Sequence, residues 1–134
     1  MKKHDYEALI LRMESYLECW KQLHHFMTIA RTKKFSQDDE NQFLELKSII
    51  TQEFEILMAT LDCGTISRDE VHALLASGPS IRFLSELNEG ALRNIESQWH
   101  KLFISFQAIL GQLKVRQQQA ATSKLKGWFG RKAA

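Results

Sequence analysis

The sequence has little of what builds strands, tight turns and disulfide frameworks. It contains one proline, six glycines and two cysteines in 134 residues. Because all-β folds need frequent turns, and turns favour Gly and Pro, this scarcity argues against a strand-rich architecture. The glycines are scattered singly, so there is no glycine-rich loop of the kind that cradles phosphate groups. We therefore expect an all-α protein without such a nucleotide-binding loop.

Long apolar runs are also missing. No stretch of about 20 apolar residues occurs, which argues against a membrane span. Charged residues interrupt the first positions, so no signal peptide is readable. Cys19 and Cys63 are predicted to be small buried residues and not a disulfide, because a chain without such a signal meets a reducing compartment. On these grounds we expect a cytoplasmic protein.

Acidic residues are absent from the last part of the chain. All 16 Asp and Glu lie within residues 1–96, together with 11 Lys and Arg, so that this part has a formal charge of −5. Residues 97–134 contain seven Lys and Arg and no acid. A split of this kind predicts an acidic body with a basic tail, and basic tails favour phosphate groups in nucleic acid or on membrane surfaces.

What the sequence does contain is helical periodicity. Apolar residues recur at steps of three and four, which is typical of helices that bury one face. The pattern predicts three long helices near 5–32, 37–62 and 91–119, and a short helical pair within 67–88. Short connections favour antiparallel neighbours. The predicted fold is therefore an all-α, antiparallel up-down helical bundle.

The same pattern predicts two units along the chain. Residues 1–120 form the helical bundle domain, and residues 121–134 form a basic, aromatic-containing tail that we expect to be flexible. Ser36 is a predicted N-cap, and Ser67 with Glu70 has the spacing of a capping box. The apolar pattern keeps its phase across Gly90, so a break there and one continuous helix through this region are both open, with the break preferred.

Metal-ligating and nucleophilic residue types occur without a supporting pattern. His24 and His25 diverge by about 100° on a helix, and Cys19, five residues before His24, does not share its face. Glu96 and His100 can face one way, but a two-metal bundle site needs such pairs on two helices. We predict no catalytic residue, no metal and no cofactor, and a metal-binding bundle enzyme is kept as an alternative.

Two segments resemble known motifs. Residues 64–70 resemble the second half of an EF-hand calcium loop, but Ala59, Leu61 and Cys63 stand where that family has oxygen ligands, so we expect no calcium site. Residues 67–87 resemble a helix-turn-helix. Because the second helix of this motif has a single base and lies in the acidic part of the chain, we interpret it as a hairpin capping one end of the bundle.

The candidate functional site is the C-terminal tail. It combines two adjacent aromatic residues with four cations, a combination used by segments that contact anionic membranes. An acidic groove on a protein satisfies the same chemistry. The site residues are Lys124, Lys126, Trp128, Phe129, Arg131 and Lys132.

These observations predict a non-enzymatic scaffold or adaptor. Its tail contacts a protein partner of unknown identity or an anionic membrane surface, so membrane association is an alternative to a purely cytoplasmic location. A nucleic-acid-associated protein that uses the basic C-terminal third is a further alternative, although the acidic body disfavours nucleic acid. The long aromatic-rich stripes exceed what one chain covers easily, which also suggests a homo-oligomer.

Overall fold

The computed structural model describes residues 3–61 and 66–133, and within them the side chains of 4–61 and 66–122. In these ranges the chain forms helices and no strand, which confirms the all-α bundle. No described helix is long and apolar enough to cross a membrane. The five helices are α1 (Lys3–Thr32), α2 (Gln37–Thr60), α3 (Arg68–Ser77), α4 (Ile81–Ser85) and α5 (Glu89–Ala133).

Helix α1 lies antiparallel to both α2 and α5. Arg12, in the first half of α1, pairs with Glu53 near the end of α2. Arg31, at the end of α1, pairs with Glu89 at the start of α5, where the two side chains approach to 2.9 Å. Short connections thus produce the antiparallel neighbours that the sequence predicts.

Helices α3 and α4 together fill the third position of an up-down-up-down bundle. Glu55 pairs with Arg68 at the start of α3 at 3.0 Å, and Lys47 Nζ donates to the carbonyl of Gly78 at 2.9 Å. The Glu40 carboxylate accepts from the first backbone N–H groups of α4. As the chain runs from α3 to α4, its contacts on α2 move from the end of that helix to its start. The interpretation of this segment as a hairpin that caps one end is therefore wrong, because it runs beside α2.

Polar side chains determine where the helices begin. Ser36 caps α2 in a full capping box, in which Asp39 bonds back to the Ser36 backbone N–H. At α3, the Glu70 N–H donates to Ser67 Oγ at 3.2 Å. The Glu70 carboxylate instead lies 3.4 Å from Lys101 Nζ. The described hydrogen bonds thus include one half of the capping box predicted at α3.

The region around Gly90 contains a break, but the glycine does not make it. Helix α4 ends at Ser85, and Asn88 then caps α5, with its Oδ1 accepting from the Ala91 N–H at 2.8 Å. Gly90 lies inside the first turn of α5. Two helices therefore occupy this region, and the break arises from an asparagine cap.

Helix α5 is longer than the sequence predicted. We expected the third long helix to end near 119, whereas the backbone stays helical to Ala133. Residues 117–123 include Gln and Ala, which are good helix formers, and no proline stops the helix there. The backbone of 121–133 is thus a continuation of α5, and the division into a bundle at 1–120 and a flexible tail stays a prediction.

The centre of the bundle is an aromatic cluster that joins three helices. Phe106 of α5 lies 5.0 Å from Tyr16 and 5.2 Å from Trp20 of α1, and 6.2 Å from Phe54 of α2, measured between ring centroids. All four side chains are buried. The Trp99 indole N–H donates to the Trp20 carbonyl at 2.9 Å. This cluster fixes α5 against α1, and with it the direction in which α5 leaves the core.

Candidate functional site

The predicted site residues fall on the last turns of α5. The backbone is helical there, and the side chains of Lys124, Lys126, Trp128, Phe129, Arg131 and Lys132 lie outside the described residues. On an α-helix, sequence positions 125, 128 and 129 lie on one side, because spacings of three and four return to the same face. Positions 124 and 131 then fall on one flank of that side, and position 126 falls on the other.

The described bases of the acid-free C-terminal third reach towards the acidic body. Lys101 Nζ lies 3.4 Å from Glu70, and Lys114 Nζ lies 4.0 Å from Glu14. All four side chains are about half exposed or more, so these pairs hold little energy. The two lysines face acids of the body and do not cluster with each other, an arrangement that favours contact with carboxylates over binding of a phosphate backbone.

A groove of about 380 Å³ opens between α1 and α2. Leu11 and Ile49 line it and are 61% and 44% exposed. Ile56, two turns after Ile49 on α2, is 41% exposed. We call this surface the α1–α2 groove, lined by Leu11, Arg12, Ser15, Tyr16, Cys19, Ile49 and Glu53. Grouped apolar exposure of this kind is typical of an interaction surface.

The two charged residues that line the α1–α2 groove pair with each other. Glu53 accepts from the Arg12 guanidinium, so that the acid and the base neutralise one another. Burial raises the pKa of the Cys19 thiol, and the nearby carboxylates of Glu53 and Glu18 raise it further. The groove therefore keeps Cys19 in the thiol form, which is a poor nucleophile.

Lys47 occupies a smaller pocket between α2 and the α3–α4 segment. Its Nζ donates to the Gly78 carbonyl at 2.9 Å and lies 5.6 Å from the centre of the Phe43 ring. Burial lowers the pKa of this lysine. The enclosed space is about 10 Å³, close to the volume that one water needs, so it offers no room for a substrate. Lys47 therefore holds α3 and α4 against α2.

Two of the histidines take part in packing and hydrogen bonding. His24 packs on Trp99 with ring centroids 4.6 Å apart, and His72 Nε2 lies 3.3 Å from the Glu55 carboxylate. Across 4–61 and 66–122, no three His, Cys, Asp or Glu side chains lie close enough to hold a metal ion. Cys63, one of the residues at the EF-hand-like segment, lies outside the described residues.

Comparison with models of protein families, with curated proteins and with solved structures finds no match to this chain. The interpretation of the site therefore depends on its own residues.

Sequence reasoning missed the α1–α2 groove. Its apolar residues fall just outside the buried stripes: Leu11 follows the buried Ile10, and Ile49 precedes the buried Ile50. Doubled apolar positions gave only a weak signal, because both members of such a pair can be buried, as Tyr16 and Leu17 are.

Proposed function

We propose that this chain is a non-enzymatic helical-bundle scaffold or adaptor that docks through its basic, aromatic tail. The observation that carries the proposal is the continuity of α5. Its first half supplies Phe106 and Leu113 to the core, and the same helix continues to Ala133. A tail joined to the core by one uninterrupted helix links its own docking to the position of the whole bundle.

The use of the charged groups supports a binding role over catalysis. Arg31 is held by Glu89 and Glu96, and the Glu40 carboxylate caps α4. The Cys19 thiol has a raised pKa, which disfavours the thiolate that nucleophilic catalysis needs. These groups stabilise the fold. The tail remains, and its aromatic and basic residues need an apolar surface and acids to contact.

The chemistry of the tail defines its target. Two large aromatic residues left in water forgo about 3–5 kcal/mol of apolar burial. Four neighbouring cations resist burial unless acids meet them. An apolar groove with carboxylates at its edge, on a protein partner, satisfies both demands.

The helical backbone of the tail favours a second target, an anionic membrane surface. Positions 125, 128 and 129 share one side of the helix, and the basic positions 124, 126 and 131 flank them, as in helices that lie in the membrane interface. The fourth basic position, 132, falls on the apolar side at the end of the helix. Each base near an anionic leaflet adds about 1 kcal/mol of attraction.

Deletion of residues 124–134 tests the proposal. We expect the truncated chain to melt as the full chain does, since Leu113 is the last buried residue among the described side chains of α5, which extend to 122, and to lose its tail-dependent association. Association is measured by co-purification from the native cell and by sedimentation with vesicles that contain phosphatidylserine. A control chain with Lys101→Gln and Lys114→Gln removes two bases of the same third and keeps the tail.

Three outcomes would contradict the proposal. A large fall in the melting temperature on truncation would show that the tail belongs to the core. Unchanged association would show that the tail is inert. Binding of nucleic acid that depends on the tail and weakens steeply with added salt would favour the nucleic-acid alternative, because phosphate contacts release counterions.

A further inference from the structure

We infer that the last turns of α5 and the start of α1 form one binding end for an anionic membrane, an inference that rests on the proposed role of the tail. The packing of the two helices places this end. Phe106 of α5 lies 5.0 Å from Tyr16 of α1, measured between ring centroids. Lys3 lies 13 residues before Tyr16, and in antiparallel helices it therefore lies beside sequence position 119, which is 13 residues after Phe106.

Helix α5 projects past the start of α1, by about 20 Å beyond position 119. Among the described side chains of α5, Ala121 is the last that is half-buried. Helix α2 ends near the same level, since its Glu53 pairs with Arg12 and its last residue, Thr60, lies about two turns beyond that pair. Within the described ranges, the helices of the bundle therefore leave the projecting turns of α5 without a neighbour.

The apolar side of the tail continues the side of α5 that faces α1. Gln107, Leu110 and Gly111 line the groove between α1 and α5. Five helical turns take about 18 residues, so sequence positions 125, 128 and 129 lie on the same side of α5, five turns further on. These positions hold leucine, tryptophan and phenylalanine. The side of α5 that packs on α1 within the bundle thus stays apolar where α1 has ended.

The charge at this end of the molecule is predominantly positive. The tail contributes four cations and no acid. Lys3 begins α1 at the same end, and Lys2 precedes it in the sequence. Against these six bases stand three acids that lie near this end in the sequence, Asp5, Glu7 and Asp62. An excess of bases of this kind is attracted to anionic lipid headgroups.

The combination of charge and apolar positions favours a membrane over other occupants. A second copy of the tail would bring four further cations against the first four, and like charges in contact disfavour such pairing. Nucleic acid supplies phosphates, but its backbone offers no apolar layer for positions 125, 128 and 129. An anionic membrane supplies phosphates above an apolar layer. Its continuous surface also meets bases of two chain segments, whereas a groove on a protein receives a single helix.

Helix α1 limits how α5 meets the membrane. Because α1 lies beside α5 as far as position 119, a flat surface cannot lie along the whole of α5 on that side. The contact is therefore confined to the projecting turns, and the start of α1 reaches the headgroups together with them. This arrangement gives Lys2 and Lys3 a part in binding that a free tail would not give them.

Sedimentation of the full chain with phosphatidylcholine vesicles, with and without phosphatidylserine, tests the inference. We expect binding that needs phosphatidylserine. A variant with Lys2→Gln and Lys3→Gln should bind more weakly by about fivefold for each base. The control variant has Lys33→Gln and Lys34→Gln, which removes the same charge after the other end of α1, and should bind as the parent does.

Two results of this comparison would overturn the inference. Equal losses in the two lysine variants would show that only the net charge of the chain matters. Unchanged binding of the Lys2 and Lys3 variant would show that the tail binds without the start of α1. Circular dichroism of each variant checks that the helices are retained.

Brominated lipids test whether the apolar side of the tail enters the acyl layer. Trp20 and Trp99 are buried in the bundle, so quenching of tryptophan fluorescence by brominated acyl chains should come from Trp128. We expect quenching in the parent and its loss in Trp128→Phe, which keeps an aromatic residue. Binding without quenching in the parent, or quenching that persists in the variant, would overturn the inference.

Failure of this inference is distinguishable from failure of the proposed function. If the full chain ignores phosphatidylserine vesicles while its tail still captures a protein partner, the inference fails and the proposed function survives. Tail-dependent binding of nucleic acid in place of vesicles overturns both. Loss of every tail-dependent association also overturns both.

Discussion

The acidic body and the acid-free C-terminal third handle their charges differently. In residues 1–96, cations are held close by carboxylates of the same region, as Arg31 is by Glu89 at 2.9 Å and Arg68 is by Glu55 at 3.0 Å. In residues 97–134, Lys114 reaches an acid of the body at 4.0 Å, and the segment has no acid of its own. The body thus pairs these cations with its own acids and keeps an excess of acids, whereas the acid-free third contains no acid with which its cations could pair.

The boundary in charge is not the boundary in packing. Acids end at Glu96, but α5 supplies buried residues as far as Leu113. The first part of the acid-free third is therefore core, and its later part contains the residues of the proposed docking tail. A segment defined by its charge alone mixes these two roles.

The largest expected effect on stability would come from removing a core contact of the acid-free third. Phe106→Ala removes a ring that contacts Tyr16, Trp20 and Phe54, and we expect it to lower the free energy of unfolding by about 3–5 kcal/mol. Ile104→Ala, two positions earlier and half exposed, should change it by less than about 0.5 kcal/mol. Urea denaturation measures both, and similar losses would show that α5 is not divided into a buried and an exposed face.

The bundle was predictable because each long helix buries one regular stripe. Met13, Tyr16 and Trp20, for example, are spaced at three and four and are all fully buried. The break before α5 was predicted at Gly90 but lies two residues earlier. Asn88 forms it, because its side chain caps the helix. Local chemistry was thus sufficient for the helices and nearly sufficient for their ends.

The α1–α2 groove was not predictable in the same way. Leu11 and Ile49 are 38 positions apart, and their meeting depends on how α1 and α2 align. The end of α5 was predicted too early, near 119, for a different reason. The polar composition of 117–123 does not stop a helix as proline does, and the single glycines at 127 and 130 cost only about 1 kcal/mol each. The sequence pattern does not determine how two helices align, and it does not resolve small differences in helix propensity.

A smaller effect should follow from removing a carboxylate that the body uses as a cap. Glu40 accepts from the backbone N–H groups of Ile81 and Arg82 at 3.1 and 2.8 Å. Because α4 then loses an acceptor for two donors, Glu40→Ala should cost about 1 kcal/mol of unfolding free energy. Glu45→Ala removes an exposed acid of the same helix and should cost less. Equal costs in urea denaturation would show that Glu40 does not cap α4.

The ion pairs at the end of α1 predict a dependence on pH. The hydrogen bond from Arg31 holds the pKa of the Glu89 carboxyl below its usual range. A carboxyl with a lowered pKa in the folded state stabilises the fold at pH values above its unfolded pKa, and this stabilisation is lost as the pH falls through the folded pKa.

The test compares melting temperatures of the parent and Arg31→Gln across pH. The difference should be largest near neutral pH and shrink below about pH 4, as Glu89 becomes protonated in both states. Lys34→Gln removes a base with no ion pair among the described side chains and should show no such trend. A parent-to-variant difference that grows on acidification would contradict this assignment.

The smallest expected effects come from replacing two glycines, one in open space and one in a packed contact. Their effects on stability should have opposite signs. A methyl group at Gly111, in the open groove between α1 and α5, meets nothing within 4 Å. Gly111→Ala should therefore stabilise the chain by about 0.5–1 kcal/mol, since alanine loses less backbone entropy in a helix. At Gly78, a methyl group would lie 3.2 Å from a Leu84 side-chain carbon. Gly78→Ala should destabilise the chain, because this buried contact has to shift. Thermal melting measures both signs. A fall in the melting temperature of Gly111→Ala would contradict the first of these two predictions.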